Sequence, residues 1–351
     1  MTLKTRITEL VGVEHPVVQT GMGWVSGSRL VTATARAGGL GILASATMTY
    51  DELATAIRDV KARTDAPFGV NLRADAEDAQ KRVDLIIREG VRVASFALAP
   101  REEMIARFKE AGVVVIPSVG AARHAEKVAR WGADAVIVQG GEGGGHTGGV
   151  ATSLLLPSVL DAVDIPVIAS GGFFDGRGLA SALACGASGI AMGTRFLLTK
   201  ESTVPESVKR EYLARGLNDT VVTTKVDGIP HRVLRTELVD ALERTRGVRT
   251  LAHAAVNTVR FRKLTGISWR SMIAEGLTMV RSGDRTLSQL MMSANSPMLL
   301  RAGLVEGNAR AGVLASGQVV GMIDDLPSVA ELIDEIVSRA ERCLDELEKV
   351  R

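Results

Sequence analysis

The segment GGEGGGHTGG, residues 140–149, sets seven glycines around Glu142, His146 and Thr147. So permissive a loop loses much conformational entropy when it orders, and close approach of its backbone to a ligand is the expected compensation. Its one imidazole, with an ordinary pKa of about 6.5, can take up or release a proton near neutral pH. A carbon beside a carbonyl or nitro group needs that acid/base chemistry. His146 is therefore the candidate catalytic residue, the alternative being that it only hydrogen-bonds a bound ring or a backbone carbonyl. Glu142 is a candidate to orient it, the alternative, and the more common outcome for such a residue, being an exposed loop carboxylate. His231 and Arg232, in the polar stretch KVDGIPHR, are candidates to border a substrate. His15, His124 and His253 are expected to be structural or solvated.

The elements that must position this loop are visible as a rhythm. From residue 16 onward, short apolar runs alternate with longer segments of helical period, the pattern of βαβ units and a parallel sheet. Eight runs read as strands: 16–22, 39–45, 68–72, 91–98, 113–119, 134–140, 166–172 and 189–197. Between them lie amphipathic stretches such as DELATAIRDVKAR and REEMIARFKEAG, with apolar residues at three- and four-residue spacing. The expected fold is α/β, a closed (β/α)₈ TIM barrel. An open doubly wound sheet is the alternative, disfavoured because QTGMGWVSG, not G-x-G-x-x-G, follows the first strand.

Beyond residue 200 the rhythm stops. Residues 203–296 read as a smaller, mainly helical inserted domain, with HRVLRTELVDALERTR and TVRFRKLTGISWRSMIAEGL as its main elements. Residues 1–202 and 297–351 would form the barrel, closed by an amphipathic helix from about Ser328 to Lys349.

A barrel of this kind carries its site at the C-terminal ends of its strands. Those ends read Gly21, Met22 and Gly23 after the first strand, Asn71 at the third, Gln139 at the sixth, Ser170, Gly171 and Gly172 at the seventh, and Gly193 and Thr194 in the eighth. Small and amide side chains leave room for a flat ligand and offer hydrogen bonds to its polar edge. The ASGGFFDGRG and MGTRF segments together suit a phosphate on backbone N–H groups and a helix N-terminus.

Composition narrows the partners. The 42 Lys and Arg against 40 Asp and Glu give a formal charge of +2, too balanced for a broad nucleic-acid-binding face. Cys185 and Cys343 lack metal-ligand spacing, and no metal is expected. No run approaches about 18 apolar residues, so no membrane span is expected and a cytoplasmic location is the default.

KTRITELVGVEHPVVQTGMGWVSG, ARAGGLGILAS, PFGVN, the GGEGGGHTGG loop, IPVIASGGFFDGRG, AMGTRFL and LASGQVVG together resemble the nitronate monooxygenase family, which includes flavin-dependent enoyl-acyl-carrier-protein reductases. The resemblance spans nearly the whole chain. It implies FMN held without a covalent bond, with Gly21, Met22, Gly23, Asn71 and Gln139 on the ring and ribityl side; Gly145 is a further candidate cofactor-binding residue. It implies Ser170, Gly171, Gly172, Gly193 and Thr194 at the phosphate, Ser316, Gly317 and Gln318 returning to the flavin, and His146 as catalytic histidine. Within the family, EHPVVQTGMGWV, RVASFALAP, STVPESVKR and VVTTKVDGIPHRVLRTELV are similar to the indane acyl-CoA dehydrogenases of bacterial steroid C/D-ring breakdown.

That similarity implies a bicyclic acyl-CoA substrate desaturated next to its thioester, with His146 as base and flavin N5 as hydride acceptor. Arg73, Arg123, Arg195, Arg232, Arg235, Arg262, Lys263 and Arg270 are candidate cations for the CoA tail. The alternatives are oxidation of alkyl nitronates with O₂, NAD(P)H-dependent enoyl-thioester reduction with NAD(P) as electron partner, and a phosphorylated-ligand-binding barrel without catalysis. A homo-oligomer and a companion dehydrogenase of the same pathway are further expectations.

Overall fold

The computed structural model describes residues 3–97, 100–244 and 295–350. They divide into a larger unit, 1–143, 147–203 and 322–351, and a smaller one, 144–146 and 204–321.

The larger unit is the expected (β/α)₈ barrel. Its strands are β1 (Val17–Gln19), β2 (Leu40–Ala44), β3 (Phe68–Leu72), β4 (Val93–Phe96), β5 (Val114–Val119), β6 (Val136–Gln139), β8 (Val167–Ser170) and β9 (Gly189–Met192). Each pairs in parallel with the next, and β9 closes on β1 with Val18 opposite Ala191. Val, Ile and Leu dominate because a parallel strand covered on both faces has no solvent side to make polar. Ile7 and Val11, from the helix Arg6–Val11, pack with Val18, Leu40, Ile42, Val93, Ile116, Ile137 and Ile168 in one buried cluster.

The barrel helices start on chemical signals. Thr49 Oγ1 accepts from the Glu52 amide at 3.3 Å while Glu52 accepts from the Thr49 amide at 2.7 Å, a reciprocal cap on Tyr50–Arg63. Ser328 and Glu331 repeat the device on Val329–Glu348, which buries Leu332, Ile333 and Ile336. This last helix packs on Gly176–Ala184 so closely that a Cβ at Gly176 would stand 2.3 Å from the Ile336 carbonyl oxygen. The eighth barrel strand ends earlier than its apolar run suggested. The chain turns at Gly193 into the short helix Thr194–Leu197, so the apolar residues after Met192 are buried helical ones.

The smaller unit, expected to be mainly helical, also carries strands. Its helices Glu206–Leu213, Glu237–Arg244 and Asn295–Leu304 accompany an antiparallel sheet of order β10 (Thr220–Thr223), β11 (His231–Leu234) and β7 (Gly145–His146). Its core joins Val226, Val233, Val239 and Val313. Residues 297–321, expected to return to the barrel, belong here instead. The Leu234 amide donates to the Leu314 carbonyl at 2.8 Å, and the buried Tyr212 hydroxyl donates to the Ala315 carbonyl at 2.8 Å. The segment 258–277, expected to be helical, lies outside the described residues.

Candidate active site

At the rim of the barrel, β1 ends at the buried Gln19, whose side-chain amide donates to Ser26 Oγ at 2.9 Å and to the Ile42 carbonyl at 3.2 Å. Ser26 Oγ donates to the Thr20 carbonyl at 2.8 Å and accepts from the Met22 amide at 2.9 Å. The loop Gly21–Gly23 is thereby shaped from within. An added Cβ on Gly21 would stand 2.5 Å from Asn71 Cβ, and one on Gly193 would stand 3.3 Å from Met22 Sδ. The ends of β1, β3 and β9 therefore converge.

The ends of β6 and β8 meet in the same way. Gly171 and Gly172 have φ of 94° and 87°, left-handed values that a side chain disfavours. A Cβ at Gly171 would also lie 3.1 Å from the Gly140 carbonyl oxygen, the Gly143 amide nitrogen and Thr152 Oγ1. Gln139, at the end of β6, has its side-chain nitrogen 2.7 Å from where a Gly143 Cβ would be. Ser170, the last residue of β8, is buried.

The start of the helix Gly176–Ala184 is already filled by Asp175, whose carboxylate accepts from the Arg177 amide at 3.0 Å and from the Gly178 amide at 3.4 Å. Arg177 and Arg339 also pair with that carboxylate. A capped helix start has little left for an anion, which leaves the Ser170–Gly172 and Gly193–Thr194 backbone as the expected phosphate residues. This rim, made of closely approaching glycines and neutral amides, fits the FMN of the resemblance.

The titratable groups gather in the smaller unit. The β7–β11 register places His146 opposite His231 and Gly145 opposite Arg232. Asp227 precedes His231 by one turn, with Gly228 at φ 85° carrying the chain into the strand. The result brings Asp227 Oδ2 to 2.6 Å from His146 Nε2 and 3.7 Å from His231 Nδ1. The two imidazole centroids are 4.7 Å apart, inclined at 55°. The His146 side chain is 46% exposed, against 5% for Asp227 and 3% for His231, so one member of the trio faces outward and two support it.

Burial by itself would push the Asp227 carboxyl up. The neighbouring imidazoles of His146 and His231 outweigh it and hold the group well below the ordinary carboxylate range. His231 moves down: burial disfavours its charged form and His146 adds to that, while Asp227 opposes both. At 3.7 Å the His231–Asp227 approach is too long for a hydrogen bond, and neither ring nitrogen of His231 has a hydrogen-bond partner.

The ligand atoms of the trio lie within 4.8 Å of one another, a spacing that can also hold a metal ion. Two ligands on one tetrahedral ion stand roughly 3.3 Å apart. The 2.6 Å contact is therefore a hydrogen bond, and proton chemistry is the use this geometry favours.

Ser316 and Gly317 lie in the same unit as His146. The Ser316 amide donates to the Arg232 carbonyl at 3.3 Å, and a Cβ on Gly144 would meet the Gly317 amide nitrogen at 2.5 Å. The late segment and the histidine-bearing loop thus touch directly, which only glycine at position 144 permits. Gln318 follows at the start of a 3₁₀ turn.

Glu142 does not orient His146. Its carboxylate accepts from the Thr152 amide at 3.0 Å and from Thr152 Oγ1 at 2.7 Å, tying the loop to the following helix Thr152–Leu160. The residue that bonds His146 is Asp227, which sequence reasoning passed over. The available signal was its place four residues before His231 in DGIPH, a turn that sets both side chains on one side.

The cations expected at a CoA tail are largely committed elsewhere. Arg73 pairs with Asp75, Arg235 with Asp240 and the buried Arg195 with Asp325. Arg232 donates to Thr220 Oγ1 at 2.9 Å, and Arg123 reaches His124. Arg262, Lys263, Arg270 and His253 lie outside the described residues. No helix among the described residues is long and apolar enough to cross a membrane.

Comparison with known proteins places this architecture. The family model for nitronate monooxygenase matches residues 4–82 and 76–339. The chain is 69% identical, over 350 residues, to the (3aS,4S,5R,7aS)-5-hydroxy-7a-methyl-1-oxo-octahydro-1H-indene-4-carboxyl-CoA dehydrogenase of Rhodococcus jostii (strain RHA1), covering 100% of this chain and 99% of that one. It is 70% identical over 340 residues to the protein of the same name from Mycobacterium tuberculosis (strain ATCC 25618 / H37Rv), covering 96% of each. Among solved structures, FabK from Thermotoga maritima superposes with a TM-score of 0.80 at 35% identity, covering 100% of both chains. The chain belongs to the nitronate monooxygenase family and is an oxidoreductase.

Proposed function

We propose that the protein is an FMN-dependent dehydrogenase that desaturates an indane-type bicyclic acyl-CoA thioester between the carbons α and β to the carbonyl. The observation that carries this reading is the near end-to-end similarity, at 69% and 70% identity, to two dehydrogenases named for a hydroxy-methyl-oxo-octahydroindene carboxyl-CoA. The barrel rim supports it by offering FMN a neutral, closely packed seat. When bound, FMN supplies the two-electron acceptor that takes the β hydrogen with its electron pair.

His146 takes the other hydrogen. The α carbon beside a thioester is the most acidic carbon of such a substrate, and a positioned base that removes its proton lets the C–H electron pair become the new double bond. Proton transfer by a positioned side chain contributes about 10²–10⁴-fold. The chain connects the two parts of this chemistry. Only six residues separate Gln139, at the end of β6, from His146 in β7.

The test is anaerobic mixing of the yellow protein with the named indene carboxyl-CoA while flavin absorbance is followed. Bleaching, with a product two hydrogens lighter and a new carbon–carbon double bond beside the thioester, is the expected result. Oxidation of the ring hydroxyl instead would overturn the assigned bond. Efficient nitrite release from a nitroalkane, or fast bleaching by NADH or NADPH alone, would replace the substrate class.

A further inference from the structure

We infer that Asp227 is a positioning residue that fixes the tautomer of His146, so that Nδ1 of that imidazole is the atom that exchanges a proton with the substrate. This rests on the reading of His146 as acid/base residue and deepens it. The geometry is the 2.6 Å contact between Asp227 Oδ2 and His146 Nε2. An ionised carboxylate can only accept hydrogen bonds, so the Nε2 facing it must carry the hydrogen. In the neutral ring the lone pair is then at Nδ1. Removal of the α proton breaks a carbon–hydrogen bond and forms an Nδ1–H bond. The positive charge that appears on the ring sits beside the carboxylate, and the proton later leaves Nδ1 for solvent.

His231 explains why the carboxylate serves His146 rather than being shared. It stands at the register position opposite His146, is 3% exposed and approaches Asp227 only to 3.7 Å. Burial favours its neutral form. One carboxylate therefore faces one potential cation. The tilted ring contact at 4.7 Å gives the His146 imidazole a wall to rest on. Asp227 is itself carried on the same turn as His231, so its aim at Nε2 is set by the backbone.

The conservative test is Asp227→Asn, which keeps the side chain's shape and an acceptor oxygen but removes the charge. Expected are a fall in kcat of at least tenfold, KM within threefold, and an acid limb of the kcat profile that moves to lower pH because the imidazolium has lost its counterion. Asp227→Glu should recover part of the rate. A kcat within twofold of the parent with an unmoved acid limb would overturn the proposal. If the variant does not fold, nitrogen-15 histidine NMR of the unaltered protein decides: His146 must show the Nε2–H tautomer, and an Nδ1–H tautomer refutes the assignment. His146→Ala separates the two levels. If it retains full turnover, the acid/base reading fails; if it is dead while Asp227→Asn is unimpaired, only this inference fails.

Discussion

The barrel rim and the trio in the smaller unit are built on opposite principles. Around Gly21–Gly23, Asn71, Gln139 and Gly171–Gly172 the side chains are small or neutral, and shape comes from backbone meeting backbone. Around His146 there are three titratable groups within 4.8 Å, and shape comes from an antiparallel ladder and one carboxylate. A neutral rim suits a ligand that must keep its own charge distribution, whereas a charge-bearing trio suits a proton in transit. The lesson is that a seat and a reactive group can be specified by separate parts of one chain and altered separately.

The sharpest way to break this contrast is Gly171→Ala. At φ 94°, with neighbours at 3.1 Å on three sides, a methyl group strains the turn by roughly 1–2 kcal/mol and spreads the β6 and β8 loops. FMN affinity, measured by fluorescence of released flavin, should fall at least tenfold, while the histidine NMR signals of the smaller unit stay unchanged. A simultaneous change in those signals would mean that the two parts are not independent.

A smaller effect should come from acid. The folded pKa of His231 lies below its ordinary value of about 6.5, so below that pH the unfolded chain binds a proton that the folded one refuses. Stability held above pH 6.5 is then lost as pH falls, by at most about 1.4 kcal/mol per pH unit. Asp227, also lowered, adds its own loss only below about pH 4. Melting temperature should thus decline from pH 6.5 to 5 in the parent and decline less in His231→Gln; equal slopes would remove His231 from the account.

The smallest change is expected of Glu142→Gln. Its carboxylate holds Thr152, so flavin reduction by the thioester should stay within twofold of the parent while the melting temperature drops slightly. A large loss of rate would return this carboxylate to the proton chemistry.

Much of this was legible in the sequence, for a physical reason. Barrel strands such as FGVNL and VIVQ announce themselves by local apolar runs closed by small residues, and their partners are one helix away in the chain. His146 is singled out by an equally local signal, a lone imidazole among seven glycines. Asp227 was not visible, because it stands 81 positions from His146 and only a pairing between distant strands brings the two together. Glu142 shows the complementary case: it is near His146 in sequence, but a short turn points it to Thr152. The placement of 297–321 followed the same rule, since its bonds to β11 are non-local.

The ladder between β7 and β11 has only two rungs, His146 with His231 and Gly145 with Arg232. Side chains alternate faces along a strand, so a slip of one residue would turn His146 away and leave another residue in its place. The length of the glycine loop is therefore a setting as well as its composition. If a residue added between Gly141 and Gly144 is passed on to the ladder and not absorbed by the loop, every chemical group stays present and the face that His146 occupies is lost.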